Sequence, residues 1–577
     1  MWRWNSFFVF IIFVCFWFLN ALVFGPVDEE AYFKEKGRVV GIRLIEGNYQ
    51  PVFNEEAYNP NSAVIKGNKF FRRISRSLPP VYEIELKGTR LVLFTWPHGG
   101  FPVNIQNLFL KICSSVLFAR LPILLLSLGI LIGTFFLSIK IINTQAAFFS
   151  VASLSSLSSF FILSLIGSSI IYEFAIFCEI LFLIFLTLYA DTLKMRHLFI
   201  ASCFAGMLLM SYLPFSLIIL SSFLAIFVLR KEFNIGIRQL ILLIVVVGIF
   251  VIPVVFSSLD SPKSPILGSP RIPIFPRDEQ ELAIFKDDWT RGIFRNPLLF
   301  IGAVSSNPIP KNFEEIKYRL KNLVYDLSAN FDIREGFGKH LDVNTEPKVK
   351  ISPLLSIPFT LAVLLCLIRC DPRALLVPIV VLIFLFFHSF FWAHEGFSRR
   401  ILPAIPLMCM CFGRFLWRIW IQGCFFKALA TLFLIAVCLS QVSITWKILK
   451  DTKNGEPFYI YHPMNAQKEL AYFLLKEKIY EPINISSLTE LGLLTGWKVK
   501  PIDCSYLVTL KNFVNFDILK FLRMIEGREV IVGWIEPWDF RSLEKQSLSL
   551  GFKIRKIASF PSGKPEPIFT LAKVERM

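Results

Sequence analysis

The chain is poor in charged residues, which make up only 18% of its 577 residues, and it has only 6 histidines. Hydrophobic residues reach 54%, and the mean hydropathy is +0.58. A water-soluble fold cannot bury so much apolar surface. The composition therefore excludes a disordered chain, a basic nucleic-acid-binding domain and a soluble enzyme, and it indicates an integral membrane protein.

Recognisable soluble-enzyme motifs are also scarce. The C-terminal region has no glycine-rich phosphate loop, nucleophile elbow or Cys/His set with metal-ligand spacing. Most of the 11 cysteines lie in or beside apolar segments, so no disulfide framework is expected. The pairs Cys366/Cys370 and Cys409/Cys411 are interpreted as small membrane-embedded hydrophobes, not as metal ligands.

Eleven apolar runs have spanning or near-spanning length. The first, residues 7–24, is followed by no signal-peptidase pattern, which favours a retained helix. The others cover residues 121–139, 146–165, 168–189, 197–213, 215–229, 239–257, 351–368, 374–392, 400–418 and 424–445. Because Pro214 divides two short runs, the sequence predicts a polytopic α-helical membrane protein with about 11 to 13 spans.

The distribution of Lys and Arg predicts the orientation. With a cytoplasmic N-terminus, the short inner segments hold twelve basic residues and the short outer loops hold two, as the positive-inside rule requires. The predicted location is the inner (plasma) membrane. The predicted organisation is a first helix (1–24), an extracytoplasmic loop (25–120), a membrane bundle (121–257), a second outer segment (258–350), a second bundle (351–445) and an extracytoplasmic C-terminal α/β domain (450–577).

The first outer loop carries local structure signals. Residues 81–86 and 90–95 form a strand-turn-strand pattern around Lys87-Gly88-Thr89. Residues 104–119 are amphipathic and predict an interfacial helix that ends where Arg120-Leu121-Pro122 begins the next span.

Four acidic residues are candidates for chemistry. Asp28 and Glu29 follow the first helix directly, where a carboxylate can act as a general base or bind a divalent cation. A solvated helix end is the alternative for this pair. Glu173 and Glu179 lie inside an apolar run, where unpaired acids are costly. Because they are six residues apart, at most one is expected to face a common cavity.

Basic residues at the outer interface are candidates for anion binding. His98 lies in a turn between Pro97 and two glycines, and an exposed loop histidine is the alternative. His394 and Glu395 precede Arg399 and Arg400, which break the positive-inside trend and are expected to bind a phosphate group. Ordinary snorkelling is the alternative for the two arginines.

Four stretches resemble the GT-C superfamily of polyprenyl-phosphate-sugar-dependent membrane glycosyltransferases, in the branch of the protein O-mannosyltransferases and the lipid A aminoarabinose transferases. The likeness covers most of the chain. The stretches are Asp28-Glu29 with Tyr32, Pro97-His98 followed by Ala119-Arg120-Leu121-Pro122, Tyr172 with Glu179 seven residues later, and Ser398-Arg399-Arg400 followed by Pro403 and Pro406.

The resemblance implies an undecaprenyl-phosphate-linked sugar donor and an extracytoplasmic acceptor. Its phosphate is then expected near His98, Arg120, Arg399 and Arg400. Asp28 is the expected base, or the ligand of a divalent cation (Mg or Mn), with Glu29 and Glu179 assisting. Tyr32, Tyr172, Glu173, His394 and Glu395 are further cavity candidates. Direct displacement implies inversion at the anomeric carbon.

Two other functions stay open from the sequence. A transporter or flippase for a lipid-linked glycan predicts inverted repeats and broken helices, and the sequence shows no such repeat. A non-catalytic envelope assembly subunit is compatible with the folded outer regions.

Overall fold

The computed structural model describes somewhat more than half of the chain. The described residues are 17–18, 81–86, 89–95, 98–99, 101–112, 116–157, 160–161, 164, 170–211, 215–260, single positions between 313 and 323, 353–368, 371–391, 401–453, 464–484, 498–499, 502–503, 518–533, 540–560 and 569–577. The first predicted span is described only at residues 17–18, which are helical.

A small antiparallel sheet forms in the first predicted outer loop. Strands β1 (Val81–Leu86) and β2 (Thr89–Thr95) pair with each other, and β3 (His98–Gly99) pairs with the end of β2. The predicted strand-turn-strand pattern is thus confirmed. His98 lies opposite Thr95 in the register.

Seven helices follow this sheet among the described residues. They are α1 (Phe101–Ile112), α2 (Val116–Ile141), α3 (Thr144–Ser156), α4 (Ile170–Thr192), α5 (Met195–Leu209), α6 (Ser216–Val228) and α7 (Ile237–Asp260). Local signals set several boundaries. The Asn143 side chain, for example, accepts a hydrogen bond of 2.8 Å from the Ala146 N–H and caps α3.

Four more helices form the second predicted bundle. They are α8 (Pro353–Cys366), α9 (Leu376–Phe391), α10 (Ala404–Trp420) and α11 (Cys424–Lys453). A 3-10 turn, Pro372–Leu375, precedes α9, and its N-cap Asp371 accepts a hydrogen bond from the Arg373 N–H. The positions of these helices agree with the apolar runs of the sequence.

In the part of the chain that the structure describes, three helical stretches are long and apolar enough to cross a bilayer, Leu121–Ile141, Ile170–Thr192 and Cys424–Trp446. Shorter apolar helices occupy Met195–Leu209, Leu217–Val228, Ile237–Phe250 and Pro372–His388. The protein is therefore a helical membrane protein, while the total of about 11 to 13 spans stays a prediction.

The predicted start of the second span is confirmed, because the membrane-spanning stretch begins at Leu121. The predicted end of the amphipathic helix is wrong, because α1 ends at Ile112 and α2 already begins at Val116. The run Val116–Arg120 lacks a helix breaker and joins the apolar helix that follows. Pro122 is the seventh residue of α2, so it leaves the Phe118 carbonyl without its usual intrahelical N–H donor.

Helices α2 and α4 pack in parallel at close range. A Cβ atom on Gly129 would lie 2.6 Å from the Phe177 ring, and one on Gly133 would lie 2.6 Å from Ile180. At the far end of the same interface, Asp191 accepts from Lys140 (3.0 Å) and from Arg373 (2.7 Å), which ties α2, α4 and the turn before α9 together. We call this the basic end of the bundle.

The C-terminal region contains a mixed five-stranded sheet of order β5-β4-β6-β8-β7. Its strands are β4 (Ile483–Asn484), β5 (Ile502–Asp503), β6 (Glu529–Gly533), β7 (Phe552–Phe560) and β8 (Phe569–Arg576). Strands β4, β5 and β6 are parallel, and β8 pairs antiparallel with both β6 and β7. Helices α12 (Met464–Lys476), α13 (Ile518–Ile525) and α14 (Phe540–Ser549) accompany it. Strand β7 was not predicted from the sequence.

Candidate active site

The small sheet and α1 meet the membrane helices at the end opposite the basic end. Helix α1 contacts β2, α2 and α4, and β2 also contacts α7. We call this the sheet end. Phe101, the first residue of α1, packs on Phe174 of α4 with the ring centroids 5.2 Å apart. This contact brings β3, which carries His98, close to the start of α4, which carries Glu173.

Glu173 lies on the face of α4 that turns towards α2. Phe177, Ile180 and Asp191 share this face, as their contacts with α2 show. The side chain of Glu173 is fully buried. The Ser127 hydroxyl of α2 approaches the carboxyl group, but the pair does not reach hydrogen-bond geometry, so both carboxyl oxygens and the hydroxyl lack a partner. Such a group in an apolar bundle is expensive and marks a site.

Glu179 lies about 9 Å deeper along α4, at the helical rise of about 1.5 Å per residue, and about 120° around its axis. It shares its side of the helix with Tyr172 and Phe182. Tyr172 packs on Phe215 at 5.8 Å between ring centroids, and Phe182 packs on Phe223 at 6.3 Å. Glu179 therefore faces α6, whereas Glu173 faces α2. Which of the two acids faces the cavity expected around Asp28 stays a prediction, because Asp28 lies outside the described residues.

The two ring contacts also show which residues of α6 lie at the same depth as Glu179. Helices α4 and α6 run in the same direction, because Tyr172 contacts a residue 43 positions later in the chain and Phe182 contacts one 41 positions later. This register places Glu179 at the level of Ser221 and Ser222 on α6. Ser222 is fully buried, and its hydroxyl oxygen has no hydrogen-bond partner, like both carboxyl oxygens of Glu179. A buried acid on α4 and a buried hydroxyl on α6, both without partners, thus lie at the same depth.

The architecture has counterparts among solved structures. The chain superposes on ArnT from Cupriavidus metallidurans bound to undecaprenyl phosphate with a TM-score of 0.51 and 9% identity, over 98% of this chain and 98% of that chain. Against the same protein in the apo state the TM-score is 0.51 and the identity 10%, over 99% and 98% of the two chains. The chain has the GT-C fold. The resemblance seen in the sequence is confirmed at this level.

A weaker likeness was found with the archaeal oligosaccharyltransferase AglB from Archaeoglobus fulgidus, with a TM-score of 0.46, 11% identity, and coverage of 90% of this chain and 69% of that one. No protein-family model and no curated protein sequence matches the chain. The superpositions on ArnT, at 9% and 10% identity, therefore show the fold and nothing more.

Several predicted site residues of this GT-C fold lie outside the described residues. They are Asp28, Glu29, Tyr32, His394, Glu395, Arg399 and Arg400. For His98 and Arg120 the structure describes the backbone, which places them in β3 and in the first turns of α2. Tyr172, Glu173 and Glu179 are described in full, and these roles stay predictions.

A metal site is not formed by the part of the chain that the structure describes, where no three His, Cys, Asp or Glu residues converge. Glu173 and Glu179 face different helices and cannot share one ion. The described cysteines, including Cys366, Cys409 and Cys411, are all free thiols. The predicted cation ligand Asp28 lies outside the described residues.

Sequence reasoning missed three features of the site. The contact between Phe101 and Phe174, the buried hydroxyl of Ser127 and that of Ser222 all depend on which helices become neighbours. Serine is common in membrane helices, and most serines here bond back to their own helix, as Ser221 does to the Leu217 carbonyl. Only the fold distinguishes Ser222 from Ser221.

Proposed function

We propose that the protein is a membrane glycosyltransferase that moves a sugar from a polyprenyl-phosphate-linked donor to an extracytoplasmic acceptor, such as a cell-envelope glycan, a lipid or a protein hydroxyl. The observation that carries the proposal is the full-length likeness to ArnT, whose crystal structure holds undecaprenyl phosphate. Two buried carboxyl groups without partners support it, Glu173 at the sheet end and Glu179 deeper along α4, because a structural role does not explain their cost.

The reaction is a direct displacement at the anomeric carbon. The acceptor oxygen forms a bond to this carbon, the bond to the phosphate oxygen breaks, and the polyprenyl phosphate leaves with both electrons of that bond. The acceptor proton passes to Asp28, and the configuration inverts. His98, Arg120, Arg399 and Arg400 are proposed to hold the donor phosphate, since guanidinium groups bind phosphate oxygens in pairs.

The remaining acidic residues are proposed to have different roles. Glu29 and Glu179 assist Asp28, while Glu173, together with Tyr32, Tyr172, His394 and Glu395, lines the cavity. If a divalent cation binds, Asp28 is proposed as its ligand. No step of the displacement depends on this cation. The sheet end is proposed to face the extracytoplasmic side, with the N-terminus in the cytoplasm.

A donor panel tests the function. Purified full-length protein in detergent is offered radiolabelled undecaprenyl-phosphate sugars together with an envelope extract as the source of acceptors. Transfer, or slow donor hydrolysis, is expected with one sugar class. A flippase would move the donor across reconstituted vesicles without cleaving it, and an assembly subunit would do neither, so either result contradicts the proposal.

A further inference from the structure

Cys366 and Cys411 are two thiols that the proposed sugar transfer does not use. They are 45 positions apart in the chain, and the fold brings Cys366, at the end of α8, against Cys411 of α10. The Cys366 thiol donates to the Cys411 carbonyl at 3.4 Å, and the Cys411 thiol approaches that of Cys366. A thiol that contacts the backbone of another cysteine is within reach of its side chain, as a disulfide requires.

Contacts on both sides of Cys366 hold α8 against α10. Phe359 stacks on Phe412, with the ring centroids 4.8 Å apart and the ring planes 10° apart. The Arg418 guanidinium donates to the Ile368 carbonyl at 3.1 Å. One contact precedes Cys366 in the chain and the other follows it, so the two thiols stay next to each other in the folded protein.

Cys409 is a nearby thiol of α10 with different neighbours. Two residues on an α-helix are about 200° apart around its axis, so Cys409 and Cys411 lie on nearly opposite sides of α10. Cys409 interacts with Ser153 of α3 and with Cys438 of α11. Its side chain is as deeply buried as that of Cys411. Cys409 is therefore a matched control on the same helix.

Two guanidinium groups lie beside Cys366. Arg414 and Arg418 both act electrostatically on its sulfur. The Arg414 side chain is only 6% exposed, and its Nε and Nη1 atoms have no hydrogen-bond partner, so water screens its charge little. Positive charge beside a thiol makes it more reactive towards peroxides, because the thiolate is the form that reacts.

Cys366 is also placed where a small oxidant can arrive. It is the last residue of α8, and the two residues after it, Leu367 and Ile368, are exposed. Cys411 is buried behind it. A disulfide adds no atom to the bundle, since one S–S bond replaces two S–H bonds, so the product needs no cavity.

The pair lies towards the basic end of the bundle. Ile368 is five residues before Arg373, which pairs with Asp191 at that end. The basic end is proposed to face the cytoplasm, where thiols are kept reduced and disulfides are typically transient. A disulfide at this place is therefore expected to form under oxidising conditions and to be reversed afterwards.

We propose that Cys366 and Cys411 form a reversible disulfide, which ties α8 to α10, when the protein meets a peroxide. The Cys366 sulfur attacks the O–O bond and becomes a sulfenic acid, and one water leaves. The Cys411 sulfur then attacks the sulfenic sulfur, the S–S bond forms, and a second water leaves. The two thiols lose two electrons and the peroxide gains them. The site does not depend on the proposed sugar transfer.

Peptide mapping of the full-length protein tests the site. Wild type, Cys411→Ala and the control Cys409→Ala are purified in detergent, reduced, treated with hydrogen peroxide, quenched with N-ethylmaleimide and digested with trypsin. Cys366 lies in the tryptic peptide 351–369, apart from Cys370, and Cys411 lies in the peptide 401–414. Wild type and Cys409→Ala should yield these two peptides joined, and dithiothreitol should separate them.

The Cys411→Ala variant should stop the reaction at its first step. Cys366 should then be trapped as the sulfenic acid by dimedone, because the second thiol is missing. Thermal unfolding supplies another measurement, since a cross-link restricts the unfolded chain. Peroxide should raise the Tm of wild type and of Cys409→Ala, and it should not raise that of Cys411→Ala.

Three results would overturn the proposal. The first is a disulfide that joins Cys366 to Cys370, or to any other cysteine, in preference to Cys411. The second is complete alkylation of Cys366 and Cys411 after a peroxide treatment that oxidises the exposed Cys424. The third is an equal rise of Tm with peroxide in wild type and in Cys411→Ala, which would assign the effect to other thiols.

Discussion

At the scale of single residues, the molecule is distinguished by polar groups buried without partners. Glu173, Glu179, Ser127 and Ser222 at one set of interfaces, and Arg414 at another, all have buried polar atoms with no hydrogen bond. Native proteins keep such groups rare, because each one lowers stability. Residues that reduce stability and are retained are expected at sites of function.

Replacing Glu179 with Gln should separate stability from activity. Loss of the buried carboxyl should leave the Tm unchanged or raise it, because Gln keeps the shape without an ionisable group. Turnover of the donor should fall by at least about tenfold if the carboxyl assists proton transfer. Both quantities can be measured on the same detergent-purified sample.

Ser221→Ala is the matched control for this change. Ser221 lies at the same depth, but its hydroxyl bonds to the Leu217 carbonyl of its own helix. The Ser221→Ala substitution should therefore leave turnover of the donor unaltered. If Glu179→Gln lowers the Tm, or turns over the donor at the wild-type rate, the carboxyl group has a structural role instead.

At the scale of elements, close helix packing depends on a few glycines. A Cβ atom on Gly413 of α10 would overlap the Ser150 hydroxyl and would lie 2.7 Å from the Ser150 backbone nitrogen of α3. Backbone cannot move aside as a flexible side chain can. Gly413 therefore sets the distance between α3 and α10.

Gly413→Ala should destabilise the protein by about 1–3 kcal/mol, the usual cost of overpacking. Gly248→Ala is the control, since Gly248 lies in α7 with open space around its Cα. There the better helix propensity of Ala should be neutral or stabilising by up to about 1 kcal/mol. The Tm of each variant is measured by thermal unfolding. Equal Tm changes for the two variants would contradict the close contact between α3 and α10 at Gly413.

The three-residue ion cluster at the basic end should contribute little by itself. Asp191 pairs with Lys140 and Arg373, and all three side chains are about a third to a half exposed. A double-mutant cycle between Asp191→Ala and Arg373→Ala should give a coupling of about 0.2–1 kcal/mol that decreases with salt. A coupling near zero would show that the cluster does not tie α4 to the turn before α9.

The elements were largely predictable, and the site was not. Apolar runs located the helices because membrane helices must satisfy their backbone internally and cover about 30 Å of hydrocarbon. Strand β7 was missed although Phe552-Lys553-Ile554-Arg555 alternates apolar and charged residues, the pattern of a half-buried strand. The opposition of Glu179 and Ser222 depends on which helices pair, and hydropathy carries no information on pairing.

At the scale of the whole molecule, the GT-C fold joins a helical membrane bundle to a mixed sheet near the C-terminus. Four parts of the sequence predicted this fold although overall identity to ArnT is only 9%. Short motifs around a reaction site can persist when lipid-facing helices change freely, because any apolar side chain serves on the lipid side.

The predicted orientation can be tested by labelling intact cells with a membrane-impermeant maleimide. Lys553 is exposed on β7, so Lys553→Cys places a thiol on the C-terminal region. Cys424 is a native thiol exposed at the start of α11. Peptide mass mapping should find the label at residue 553 in intact cells, and at Cys424 only after the cells are permeabilised. The reverse pattern would invert the proposed topology.

The most direct test of the central claim is donor cleavage by wild type and by Asp28→Asn, measured as release of undecaprenyl phosphate from the sugar donor that the panel identifies. We expect steady release by wild type and at least about a hundredfold slower release by Asp28→Asn at unchanged Tm, because the variant lacks the base. Release at the same rate by both proteins, or by neither, would contradict a glycosyltransferase that acts through Asp28.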